Sequence, residues 1–83
     1  MTYAEIFSKR IRYLCEKQNI SINKLALSSG LSRTTVYNIV NGKTKHITLR
    51  SLCKISKGFG ITVSSFCNIP ELNNLALVEK NKK

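Results

Sequence analysis

Apolar residues recur along this chain at helical spacing, in short runs separated by polar or glycine breaks. Tyr3, Phe7, Ile11, Leu14 and Cys15 step along one face, with Ile6 beside them, while Lys9, Arg10, Arg12 and Lys17 take other directions. Thr2 and Glu5 have the spacing of a capping box that starts this first helix. It is expected to end near Gln18 and Asn19, because Asn tolerates the left-handed exit. Ile20 then stands where it can staple the next helix. Ile22, Leu25 and Ala26 predict a second helix over about 22–29, and Val36, Ile39 and Val40 a third over about 33–41. Ser21 and Ser32 precede these runs as N-caps, and Gly30 and Gly42 follow them where the chain must leave a helix. Residues 21–42 therefore read as helix, tight turn at Ser29, Gly30 and Leu31, helix, with small Ala26 where two helices approach. Thr48 caps a fourth helix through Leu49, Leu52, Cys53, Ile55 and Ser56, ending about Gly58 to Gly60. Thr62 caps a short fifth, with Val63, Phe66 and Cys67 inward. Pro70 marks a break, after which Leu72, Leu75 and Ala76 predict a frayed helix and residues 79–83 a disordered polar end. The fold class is all-α: a compact bundle of about five short helices, as one domain over residues 1–68 with a tail over 69–83, partly helical or disordered.

A length of 83 residues allows one small domain, with little room for an enzyme pocket or a separate ligand-sensing unit. The net charge of +10 adds a direction. Acids occur only at Glu5, Glu16, Glu71 and Glu79, whereas Lys17, Lys24, Arg33, Lys43, Lys45, Arg50, Lys54 and Lys57 follow one another without an acid between. So one-signed a surface favours a polyanionic partner. The plainer reading, that a basic chain merely stays soluble, leaves the distribution unexplained. The cysteines, Cys15, Cys53 and Cys67, are odd in number and sit in apolar runs, so they are expected to be small core residues and not a disulfide framework. That usage suits a reducing cytoplasm. With no CxxC pair and His46 as the single histidine, no metal site is expected. Neither a signal peptide nor a membrane-spanning segment is expected, since no apolar run reaches membrane-spanning length.

The third helix has two faces. Val36, Ile39 and Val40 go inward, and Arg33, Thr34, Tyr37, Asn38 and Asn41 form an outward stripe free of carboxylate and lysine. Arg, Thr and Asn are side chains that pair with guanine, thymine methyl and adenine edges in a major groove. Lys24 and Arg33 lie in first turns, where a cation opposes the helix dipole and a bound anion compensates.

Leu25-Ala26, Gly30-Leu31-Ser32, Val36 and Asn41-Gly42-Lys43 match, in register, the helix-turn-helix of the Cro/CI-type (Xre-like) bacterial and phage regulators. The resemblance extends over roughly residues 6–67. It implies a lambda-repressor-like DNA-binding domain whose third helix enters the major groove. Carried over by register, Ser32, Arg33, Thr34, Tyr37 and Asn38 are the base-reading positions, Arg33 first among them. Ser21, Asn23, Lys24, Asn41, Lys43, Thr44 and Lys45 are the expected phosphate contacts, which add affinity without sequence information. There are departures. Relatives often carry glutamine where this chain has Ile22, so that side-chain bond is lost and Asn23 is left to serve. Many relatives also join an arginine late in the first helix to a glutamate late in the third, positions that align with Cys15 and Val40 here. Both partners have become apolar together, which avoids an unpaired buried charge.

The expected function is a sequence-specific regulator of double-stranded DNA, a repressor acting as a homodimer on a pseudo-palindromic site, bacterial or phage-encoded and cytoplasmic. No cofactor, small-molecule ligand or membrane is implied, and no constellation of nucleophile, base and acid suggests an enzyme. The rival is a protein-interaction module (an antitoxin, controller or antirepressor subunit) whose basic stripe meets an acidic protein. RNA binding is weaker, for lack of a GXXG loop or RNP-like aromatic pair.

Overall fold

A computed structural model describes residues 2–74 of the chain. It comprises α1 (Tyr3–Gln18), α2 (Ile22–Ser29), α3 (Arg33–Val40), α4 (Leu49–Phe59) and α5 (Val63–Phe66), followed by a helical turn over residues 70–74. There is no strand among the described residues. Each named helix starts on a hydroxyl: Thr2, Ser21, Ser32, Thr48 and Thr62 have extended backbones and accept the N–H three residues on. At Thr2 the box is reciprocal, the Glu5 carboxylate accepting from the Thr2 N–H at 3.4 Å. Asn19 ends α1 in the left-handed conformation at φ 55°, and Gly30 ends α2 at φ 75°. These local signals were all readable from residue type, and the structure follows them.

The core gathers Ile6, Phe7, Ile11 and Leu14 from α1, Leu25 and Ala26 from α2, Val36, Ile39 and Val40 from α3, and Ile55 and Phe59 from α4. Phe66 of α5 is fully buried among them, its ring stacked 6.0 Å from that of Phe7 and 6.3 Å from that of Phe59. Burying such a side chain stabilises by about 1.5–3 kcal/mol, a large contribution for a four-residue helix with little stability of its own. Helices α2 and α4 approach closely at Gly58, where an added Cβ would lie 3.1 Å from both the backbone N and the Cβ of Ser29.

Helix α1 also ties down the C-terminal ends of three others, whose last carbonyls have no intrahelical donor. Arg10 donates through Nε to the Phe66 carbonyl at 3.0 Å and through Nη2 to that of Ser65 at 2.8 Å. Gln18 donates to the Phe59 carbonyl at 3.0 Å, and the Val40 carbonyl accepts from Ser8 and Arg12. The arginines add a cation at the negative end of a helix dipole.

Two expectations are corrected or bounded. Cys53 is exposed, not a core residue, because it lies one turn after exposed Leu49 while Ile55, Ser56 and Phe59 face inward. Cys15 is buried and Cys67 half-buried. Burial pushes the Cys15 thiol up, and does the same to Cys67, where the Arg10 charge pulls the other way and Cys53 adds to the rise. Packing continues past residue 68: Ile69 is buried and Leu72 packs half-buried on the core. Leu75, Ala76, Val78 and the polar end at 79–83 lie outside the described residues. Among the described residues no helix is long and apolar enough to cross a membrane.

Candidate nucleic-acid interface

The outward side of α3 is organised by its inward side. Val36, Ile39 and Val40 are buried to 2% exposure or less, which makes theirs the inward face and turns Arg33, Thr34 and Tyr37 to solvent. Asn38 is half-buried at the side of this face. Helix α2 runs into the turn at Gly30 and brings Asn23 alongside. Asn23, Arg33, Thr34, Tyr37, Asn38, Asn41 and Lys43 together line one open hollow of about 440 Å³. Every one of these residues was expected from the sequence to contact bases or phosphates, and the fold brings them to a single concave surface.

The loop after α3 is held to the helix. Gly42, at φ 74°, lets the chain reverse, a conformation that costs a residue with a Cβ. Its N–H reaches the Ile39 carbonyl at 3.1 Å, and the Asn38 carbonyl accepts from Lys43 at 2.8 Å and Thr44 at 3.3 Å. Lys43 is thereby fixed at the end of the hollow. Its ammonium group, like the charged ends of Lys24 and Arg33, has no partner among the described residues. Neither α2 nor α3 has an acid in its first turn, so nothing on the helix answers Lys24 or Arg33. A surface of positive charge, amides and hydroxyls with no carboxylate is suited to accept a polyanion along its length and to form directional hydrogen bonds within it.

The remaining expected residues divide. Ser21 and Ser32 are exposed but serve as caps, Ser21 accepting the Lys24 N–H at 3.1 Å. Ser32 accepts the Thr35 N–H at 3.1 Å and shares a 2.8 Å contact with the Thr35 hydroxyl, so its oxygen is already engaged. Thr44 is half-buried. Lys45 turns elsewhere, lining a second hollow of about 280 Å³ with Tyr3, Phe7, His46, Ile47 and Leu72. No group of three or more His, Cys, Asp and Glu among the described residues could hold a metal ion. Sequence reasoning assigned no place to Arg12 or Ser8, which meet the end of α3. Their i, i+4 spacing on α1 was visible, but no local signal says which carbonyl lies opposite.

Residues 11–66 match the family model described as Helix-turn-helix. No curated protein matches the chain. Among solved structures, prophage Lp1 protein 11 is 32% identical with a TM-score of 0.78, over 88% of this chain and 96% of its own. The restriction-modification controller protein C.AhdI from Aeromonas hydrophila is 27% identical with a TM-score of 0.68, over 77% of this chain and 98% of its own.

Proposed function

The chain belongs to the Xre/Cro-CI-type helix-turn-helix family of DNA-binding transcription regulators, and on that premise we propose that it is a sequence-specific repressor reading the major groove with α3. The observation that carries the reading is the single hollow shared by Asn23 of α2, the α3 stripe and Lys43. In a major groove Arg33 donates to the O6 and N7 of a guanine, Thr34 offers its methyl to a thymine, and Asn38 pairs with an adenine edge or bonds a phosphate. Tyr37 serves either a base or a phosphate. Ser32, engaged as a cap and with the Thr35 hydroxyl, stands at the N-terminal end of the reading face. The N-terminal ends of α2 and α3, with Ser21, Lys24, Asn41 and Lys43, hold the flanking phosphates. Thr44 and Lys45 complete the backbone contacts, Lys45 at the periphery.

A domain of this size contacts only a few base pairs, and two copies on a pseudo-palindrome double the site. Occupancy of an operator then excludes polymerase, which needs no second domain. The rival reading is a protein-interaction module, an antitoxin, controller or antirepressor subunit, that turns the same surface to an acidic protein; the Aeromonas relative is named a controller protein.

Selection of bound sites from a random duplex pool at near-physiological salt tests this. The expected outcome is a palindromic consensus with half-sites about one helical turn apart. No enrichment over bulk DNA would sink it, and would transfer the basic surface to an acidic protein partner.

A further inference from the structure

Of the last carbonyls of α3, those with no helical donor, three are met by the chain that follows. Tyr37 accepts from Asn41 at 2.8 Å, Asn38 from Lys43 and Thr44, and Ile39 from Gly42. The fourth, that of Val40, turns to α1, where it accepts from the Ser8 hydroxyl and from Arg12 Nη2 at 3.4 Å. Ser8 and Arg12 stand one turn apart on the same side of α1. Arg12 has no carboxylate partner among the described residues, so its charge is directed at the negative end of the α3 dipole. The apolar contacts of Val36, Ile39 and Val40 decide which face of α3 turns inward, but apolar contact is non-directional and does not by itself set the exact angle and axial position of the helix. The bonds to the Val40 carbonyl are directional and sit at the end of α3 that the loop with Lys43 leaves from.

We infer that Ser8 and Arg12 are positioning residues for the reading face: they set the rotation and axial position of α3 against α1, and so the direction in which Arg33 and Asn38 present their donors. This rests on the proposed reading of α3. Bidentate contacts to a base edge demand that direction, whereas phosphate contacts tolerate its loss.

The test measures wild type, Ser8→Ala, Arg12→Ala and Arg12→Lys on a selected duplex and on a scrambled duplex of equal length, over a salt series. The orientation of α3 in the free protein is followed in parallel by amide residual dipolar couplings. Losing one of these bonds should lower the ratio of selected to scrambled affinity about five- to tenfold, with the salt slope kept and the α3 couplings rotated relative to α4. Arg12→Lys, which keeps a donor and a charge, should retain most of both. Two results overturn the inference: an unchanged ratio with unchanged couplings, or equal weakening on both duplexes with a salt slope smaller by about one, the mark of a direct phosphate contact. If Arg12→Ala does not fold, Ser8→Ala, which loses a neutral donor only, carries the test. If wild type itself prefers no sequence, the proposed function fails, and the couplings alone then decide positioning: rotated supports it, unmoved overturns it.

Discussion

Helices α3 and α4 are built alike and present different surfaces. Both start on a hydroxyl cap, neither has an acid in its first turn, and both bury aliphatic residues in the same core. On its outer side α4 shows Leu49, which is 68% exposed, with Arg50, Cys53 and Lys57. That is cations mixed with apolar groups. On its outer side α3 shows Arg33, Thr34 and Tyr37, with Asn38 beside them and Asn23 and Lys43 converging on the same hollow. Positive charge is common to both faces and so cannot mark the site. What distinguishes the α3 face is convergence of flat, hydrogen-bonding side chains, the feature the proposed reading of base edges requires.

The sharpest way to break this comparison is to remove one arginine from each face. Arg33→Ala should reduce discrimination at one base pair by about 1–3 kcal/mol while leaving thermal stability nearly unchanged. Arg50→Ala should change affinity for all DNA slightly and preference not at all. Site selection with each variant, alongside thermal unfolding, decides. Equal effects on preference would mean that α4 reads DNA as well, and an unfolded Arg33 variant would mean the faces of α3 are misassigned.

Smaller effects are expected in the loop, where the structure separates two lysines that look equivalent in the sequence. Lys43 lines the hollow and Lys45 lines the other one, beside Tyr3 and Leu72. Lys43→Ala should weaken binding to every duplex by about 1 kcal/mol and reduce the salt slope by about one. Lys45→Ala should do less of both. A titration series in salt measures the pair, and a change of base preference in either variant would move that lysine from phosphate to base.

Much of this was legible beforehand for a physical reason. Helix starts depend on one hydroxyl three residues before an N–H, and the caps at Ser21, Ser32, Thr48 and Thr62 are such local facts. The inward trio Val36, Ile39 and Val40 fixes the outward stripe by helical period alone. What was not legible depends on which elements meet. Cys53 sits in an apolar run, yet it points outward from α4 and is exposed. The close approach of Gly58 to Ser29, and the Val40 carbonyl facing Ser8 and Arg12, join residues far apart in the chain. Periodicity reports a face, not its neighbour.

The inner side of α4 gives the next prediction. Alanine is the better helix former than glycine by about 1 kcal/mol, but a methyl at Gly58 meets the Ser29 backbone, which belongs to a packed helix and yields little. Overpacking of this kind costs about 1–3 kcal/mol, so Gly58→Ala should be destabilising by about 1 kcal/mol net. Denaturant unfolding measures it, and base preference should survive because α3 is untouched. A stabilised variant would mean that α2 and α4 can part at no cost.

The smallest effect belongs to the outer side of α4, and a second cysteine supplies its contrast. Cys53 is exposed, whereas Cys15, on the inner side of α1, is buried. Cys53→Ser should therefore shift stability by less than about 0.5 kcal/mol, since a surface hydroxyl meets water. Cys15→Ser places a hydroxyl among apolar groups and should cost about 1–3 kcal/mol unless it finds an acceptor. Alkylation in the native state should follow the same order, Cys53 first, with Cys15 held back both by burial and by a thiol pushed up from its ordinary value. If Cys53 were protected and its serine variant costly, the outer face of α4 would be covered in solution. The contrast with α3 would then rest on what each face meets, and no longer on one face being partnered and the other free.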